Sequence, residues 1–310
     1  MGKERSKLTD YAVYLVVRVV ICVIQMLSYR AACNVARLMA WLVYHLDKRH
    51  RRVADDNLRH AFPDFDAARR DRLVRAVLLH FCTLLIEIIH VPRKLHATNW
   101  RSYLDLAGGR RLVDALLSGR PLLIVTGHFG NWEMGGYVLG LLGFRTHAIA
   151  RVLDNPYLDD FLRDFRERTG QKVLAKKGDF FQMKALLNNG GVLATLADQD
   201  AGAKGQFVHY FGRPASTHRA VALMALEYNV PMIVIGTPKV GEPMRHAILA
   251  EDVILPEEYA DRPDAVKAIT QRFTAALERM VRLYPEQYFW LHRRWKHQPQ
   301  PRTKKARQAA

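Results

Sequence analysis

Leu122-Leu123-Ile124-Val125-Thr126-Gly127-His128-Phe129-Gly130-Asn131-Trp132-Glu133 is the stretch whose reading decides both fold and function. Its first five residues form a short apolar run with β-branched members, bounded by Pro121 and Gly127, and read as a buried strand. Gly127 and Gly130 permit a sharp turn, Asn131 reads as a helix N-cap, and Glu133 falls in the first helical turn. The pattern carries an imidazole from a strand end to a helix start, with a carboxylate five residues on. A histidine held this way can act as a general base, oriented and made more basic by an acid.

Spacing alone is weak support. With 13 His and 30 acidic residues in 310, roughly one His-x4-acid pair arises by chance. Three occur: His50/Asp55, His128/Glu133 and His246/Glu251. His50 sits among Lys48, Arg49, Arg51 and Arg52 and reads as a solvated basic helix, where residues five apart do not share a face. His246 precedes Ala247-Ile248-Leu249-Ala250, so that pair brackets an ordinary strand. Only His128 leaves a buried strand for a glycine turn at a helix N-terminus. The competing reading of His128 is a satisfied structural histidine.

Outward from this stretch, strands and helices alternate. Strands are predicted over 122–126, 146–150, 172–175, 192–197, 207–211, 232–238 and 245–250, and helices over 132–142, 155–169, 179–188, 217–228 and 263–283. The fold class is therefore α/β, a mostly parallel central sheet flanked by helices, in which ligands bind beyond the carboxyl ends of the strands. His128, Arg151 and Asp198 each lie at or just past such an end, so three segments can meet in one cleft. Residues 58–95 read as helical, with Phe81, Leu84, Leu85, Ile88 and Ile89 as a core stripe.

The N-terminal part differs. Residues 11–28 are almost wholly apolar at nearly spanning length, interrupted by Arg18 and Gln25, seven apart on one helical face. A second apolar stretch, 31–46, is expected to partner them or lie in the interface. The expected organisation is an N-terminal membrane-associated helical segment over 1–46, a catalytic unit over 47–297 and a basic disordered tail over 298–310. Lys48, Arg49, Arg51 and Arg52 outweigh Lys3, Arg5 and Lys7, which puts the globular part on the cytoplasmic side of the membrane.

Composition narrows the classes. The net charge is +17, and seven basic residues follow the last acid, Glu286. That charge suits anionic lipid head groups or an acidic protein donor; nucleic acid is the competing partner, disfavoured by the apolar N-terminus. Cys22, Cys33 and Cys82 lie in apolar stretches and read as small buried hydrophobes, without disulfide or zinc spacing. No nucleophile elbow, P-loop, dinucleotide fingerprint or H-E-x-x-H motif is present.

Further blocks extend the pattern: Arg51-Arg52-Val53 with Asn57-Leu58 and Phe62-Pro63; Ala150-Arg151-Val152-Leu153-Asp154-Asn155-Pro156; Ala197-Asp198-Gln199-Asp200 followed by Phe211-Gly212-Arg213-Pro214-Ala215; Val230-Pro231; and Pro285 through Lys296. In this order, around His128 to Glu133, they resemble the lysophospholipid acyltransferase superfamily, specifically its late lipid A acyltransferase branch, with related phosphatidylinositol mannoside enzymes.

The resemblance implies an O-acyltransferase moving a fatty acyl chain from a thioester, on acyl carrier protein or coenzyme A, to a glycolipid hydroxyl, with no other cofactor and no metal. His128 is then the expected base and Glu133 the acid that holds its tautomer. Backbone N–H groups around the glycine turn and the helix start are expected to face the oxyanion. Asn131, Arg151, Asp198 and Gln199 are the candidate substrate-binding residues. Arg151 binds a phosphate or carboxylate, or pairs with an acid such as Asp198. A different class, a basic membrane- or nucleic-acid-binding protein without chemistry, would have no need of His128 and Glu133 at a strand end.

Overall fold

The computed structural model describes residues 6–176 and 178–299. Lys3, Arg5 and the basic tail from residue 300 onward lie outside the described residues. Four helices come first: α1 (Lys7–Met26), α2 (Tyr29–Leu46), α3 (Lys48–Ala61) and α4 (Ala67–Lys94). The breaks are written in capping residues. Ser28, Asp47 and Asp66 each accept a backbone N–H of the helix they start. The helical stretch expected over 58–95 is thus two helices, parted at Phe62-Pro63, where proline cannot continue the first.

The α/β part follows in the order β1 (Leu104–Asp105), α5 (Arg110–Leu117), β2 (Leu122–Thr126), α6 (Trp132–Leu141), β3 (Thr146–Ala150), α7 (Pro156–Glu167), β4 (Lys172–Ala175), α8 (Phe180–Asn188) and β5 (Val192–Leu196). Then come β6 (Gln206–Tyr210), β7 (Arg213–Thr217), α9 (Ala220–Glu227), β8 (Met232–Gly236), β9 (Lys239–Gly241), β10 (Arg245–Ala247), β11 (Leu249–Ile254) and α10 (Ala265–Leu283). The central sheet has six strands in the order β11-β8-β2-β5-β3-β4. All its pairings are parallel except β11 with β8. The fold is mixed α/β around a mostly parallel sheet.

Alternation along the strands divides the core in two. Leu123, Val125, Leu193 and Val234 face a cluster that includes α9 and α10, while Leu122, Ile124, Ile233 and Ile235 face α6 and Phe165 of α7. Both faces of β2 are covered, so all five of its residues are buried.

Several expectations need correction. Residues 207–211 do not join the central sheet; β6 pairs with β7 as a separate hairpin, turned at Phe211 (φ 50°) and Gly212 (φ 73°). That pairing shortens the helix expected from 217. Residues 245–250 split into β10 and β11, which belong to different sheets. In the α4 stripe Leu84 is buried but Leu85 is 51% exposed, because α4 buries a face running through Val74, Leu78, Cys82 and Ile86. Of the three cysteines only Cys82 is buried, and Cys22 is exposed on α1.

Helices α1 and α4 are both long and apolar enough to cross a membrane by length and composition. They differ in covering: 56% of the most apolar window of α4 is buried in the protein, against 11% for α1. Arg18 and Gln25 find partners, though not in the stretch 31–46. Arg18 lies over the Phe161 ring of α7, 4.9 Å from its centroid, and bonds Tyr14, while Gln25 donates to the Ile89 carbonyl of α4 (3.0 Å).

Candidate active site

The turn after β2 is fixed from every side. Gly130 has φ 61°, and a Cβ there would stand 2.1 Å from the Thr237 carbonyl oxygen, so only glycine fits. Asn131 caps α6 by accepting the Met134 N–H (3.0 Å), as the sequence predicts. Its own N–H donates to Thr237 O (2.8 Å), and Gly130 N–H donates to Gln287 O (2.9 Å). Phe289 N–H returns a bond to His128 O (3.0 Å). The segment 285–296 is therefore a strap across the turn. Asn57 of α3 anchors it by donating to Trp290 O and His292 O (2.7 and 2.8 Å). Buried Arg294 ties it to Ser216 O and Thr217 Oγ1, both 2.6 Å.

Asp198 completes the site. Strands β2 and β5 run parallel with Thr126 opposite Leu196, so His128 and Asp198 each stand two residues past neighbouring ends. Asp198 Oδ2 accepts the His128 backbone N–H (2.8 Å), and Oδ1 lies 2.8 Å from His128 Nδ1. A carboxylate only accepts, so Nδ1 carries the proton and the lone pair of the neutral ring is on Nε2. Gly127 permits this approach, since a Cβ there would meet the Asp198 carboxylate at 3.1 Å. Burial works against the His128 imidazolium, but the charge and hydrogen bond of Asp198, with the charge of Glu133 behind them, outweigh it. The His128 pKa is held above its ordinary value. Asp198, despite burial, is held below the usual carboxylate range by His128. Trp132 and Phe289 flank the imidazole, with ring centroids 5.0 and 5.9 Å away.

The acid that orients His128 is therefore Asp198, not Glu133. Because α6 starts at Trp132, the Glu133 carboxylate is directed to Arg166 of α7, with bonds of 3.0 and 2.5 Å to Nε and Nη2, and to the Trp132 indole (3.1 Å). Glu133 acts on His128 through charge alone. Arg151 does not pair with Asp198 either; it bonds Asp154 (2.9 Å) at the surface, its side chain 78% exposed. Gln199 does come to the centre, its side-chain amide 3.4 Å from His128 Nε2. The oxyanion expectation also changes. The amides of His128, Gly130 and Asn131 are committed to Asp198, Gln287 and Thr237, which leaves the Gln199 side-chain amide as a donor beside His128 Nε2.

Glu87 of α4, 1% exposed, belongs to none of the sequence blocks around His128. Its carboxylate accepts from Asn131 Nδ2 and the Tyr29 hydroxyl (3.1 Å each) and pairs with Lys239 (3.1 Å) and His246 (3.2 Å). Burial opposes its ionisation, yet His246 and Lys239 bring its pKa down to about 2. His80, two turns earlier on the same face of α4, contacts Gly130 O (3.3 Å). Helix α4 thus holds the His128 turn from behind. An acid in the middle of an apolar helical run was the available signal.

A groove opens in front of His128, enclosing about 1650 Å³ with the solvent at its mouth included. Trp132, Ile149, Phe180, Met183, Val221 and Met224 line it, with Arg151 and Lys176 as cations. Phe181, 82% exposed, follows Phe180 at the start of α8.

Fold and site define a class: an α/β protein in which a half-buried imidazole is paired with a buried carboxylate at the carboxyl edge of a parallel sheet, opening on an apolar groove. Residues 1–297 match the family described as bacterial lipid A biosynthesis acyltransferase, and the chain belongs to that family. It is 23% identical to the lipid A biosynthesis palmitoleoyltransferase of Escherichia coli (strain K12) over 286 residues, covering 88% of this chain and 87% of the relative. The lauroyltransferase of the same strain is 23% identical over 275 residues, with 88% and 86% covered. A phosphatidylinositol mannoside acyltransferase of Mycobacterium tuberculosis (strain ATCC 25618 / H37Rv) is 27% identical over 173 residues, 54% of each chain.

Proposed function

We propose that this protein transfers a fatty acyl chain from a thioester, on acyl carrier protein or coenzyme A, to a hydroxyl of a lipid A precursor. The observation that carries the reading is the His128–Asp198 pair, with His128 Nε2 directed away from the carboxylate and beside Gln199 at the apolar groove. Nε2 removes the proton of the acceptor hydroxyl as its oxygen bonds to the thioester carbon. The tetrahedral intermediate then expels the thiolate as the C–S bond breaks, and the imidazolium returns the proton to sulfur. Asp198 holds the tautomer and stabilises the imidazolium, Glu133 adds charge from the second position, and the Gln199 side-chain amide donates to the developing oxyanion. The chain itself supplies the acid–base chemistry, so no resident cofactor enters the scheme. Relatives named for lipid A match over a larger share of the chain than the phosphatidylinositol mannoside relative, which favours the first acceptor.

In the same reading the protein is membrane-associated, on the cytoplasmic face of the inner membrane. Helix α1 supports this with Val16, Val19, Val20 and Val23, all exposed, a surface too apolar to be left to water. The net charge of +17 favours an anionic bilayer and an acidic carrier protein. Incubating the purified chain with lipid A precursor and either donor tests the proposal by mass spectrometry. A precursor heavier by one acyl group supports it. Acylation confined to a phosphatidylinositol mannoside, or no acylation with either donor, contradicts it.

A further inference from the structure

A second groove lies apart from His128, between α1, α4 and α7, and encloses about 1820 Å³, open solvent included. Its walls are apolar, with Ile21 of α1, Leu85 and Ile89 of α4 and Phe165 of α7 among them. The pairing of α1 with α7 gives its direction. Asn155 bonds the Asp10 carbonyl (2.9 Å), Tyr14 meets Tyr157 and Arg18 lies on Phe161. Seven residues further along each helix come Gln25 and Arg168, and the Gln25 carbonyl accepts a bond from Arg93 (2.9 Å). Arg93 and Arg168 therefore both line the groove toward the end away from Phe161. Neither is paired with a carboxylate among the described residues, and Asp164 is the one acid in the lining. An apolar trough on a lipid-facing helix, lined by the guanidiniums of Arg18, Arg93 and Arg168 against the single carboxylate of Asp164, matches a phosphate joined to a hydrocarbon chain.

We infer that this groove binds one acyl chain of an anionic bilayer phospholipid, with its phosphate at Arg93 and Arg168. The inference rests on the membrane reading of α1. A lipid seated there joins α1 to α4 and α7, so that the N-terminal helix is fixed to the catalytic part through bound lipid.

The test uses the full chain in phosphatidylcholine vesicles containing a trace of phosphatidylglycerol or phosphatidylcholine with a photoactivatable chain end, and maps cross-links by peptide mass spectrometry. The anionic probe is expected to label Ile21, Leu85, Ile89 and Phe165 more than the zwitterionic one does. Arg93→Gln and Arg168→Gln should each lower that labelling about fivefold, the ~1 kcal/mol of one basic residue at an anionic surface, and leave labelling of Val19 and Val23 unchanged. Equal labelling by both probes, or labelling confined to Val19, Val23 and Met26, overturns the site. Displacement of the probe by excess lipid A precursor overturns the choice of a bilayer phospholipid and gives the groove to the acceptor. Failure to sediment with vesicles removes the membrane reading itself and this site with it, whereas bound protein with an unlabelled groove removes the site alone.

Discussion

At the scale of the residue, the question is which acid serves His128. Asp198 makes the hydrogen bond and Glu133 contributes charge, so their substitutions separate in pH dependence. Transfer needs the neutral imidazole, so the rate falls as pH drops through the His128 pKa, which lies above the ordinary 6.5. Asp198→Asn should lower that pKa, move the acid limb of kcat to lower pH, and reduce the plateau by about 10²- to 10⁴-fold. Glu133→Gln leaves the limb nearly in place; its main effect is to strand Arg166 without its carboxylate, destabilising the fold by about 3–5 kcal/mol. A pH–rate profile of each variant checks both, and a larger limb shift for Glu133→Gln would return the orienting role to it. His128, Gly130 and Asn131 were legible in the sequence because strand end, turn and cap are local chemistry. Asp198 was visible as a residue past a strand end, but its partner was not. That β5 lies beside β2 is a property of sheet order, which local sequence does not carry.

At the scale of the element, α4 links the N-terminal helices to the chemistry. Glu87 has a folded pKa of about 2 against an ordinary 4.5. A depressed carboxylate pKa gives stability that is present above the ordinary value and lost as pH falls toward 2, here on the order of 3 kcal/mol. Glu87→Gln should flatten the dependence of stability on pH in that window, measured by denaturant unfolding. It also keeps an acceptor for Asn131, so it should retain more activity than Glu87→Ala, whose released turn is expected to cost kcat on the order of 10- to 100-fold. Equal activity in both variants would show that the bond to Asn131 does not position the turn. Helix α1 has the complementary role: removing residues 1–27 should abolish sedimentation with anionic vesicles, and undiminished binding would place the membrane contact elsewhere. Periodicity revealed the five parallel strands of the central sheet as short runs bounded by turn residues, but not the span of antiparallel β11. It missed β7, where Pro214 reads as a breaker yet is tolerated in a two-stranded hairpin.

At the scale of the whole molecule, the blocks spread along the sequence prove to be one assembly: Asn57 and Arg294 hold the strap, the strap and α4 hold the turn, and the turn presents His128. Such convergence is a consequence of the completed fold, which is why the order of the blocks was legible and their contacts were not. The three cysteines stand outside the groove before His128, so none is placed to carry a covalent acyl intermediate beside it. Initial-rate plots should therefore intersect, with donor and acceptor bound together; parallel lines and acyl label on denatured protein would indicate a ping-pong route. The central claim, that His128 is the base for acyl transfer, is tested most directly by the transfer rate of His128→Ala. Circular dichroism of the variant should match the unmodified chain, since the backbone bonds of residue 128 to Asp198 and Phe289 remain, while its unfolding free energy falls because the buried Asp198 carboxylate loses its partner. The account predicts a loss of transfer by at least about 10²-fold in a folded variant. Near-full turnover by that variant would contradict it.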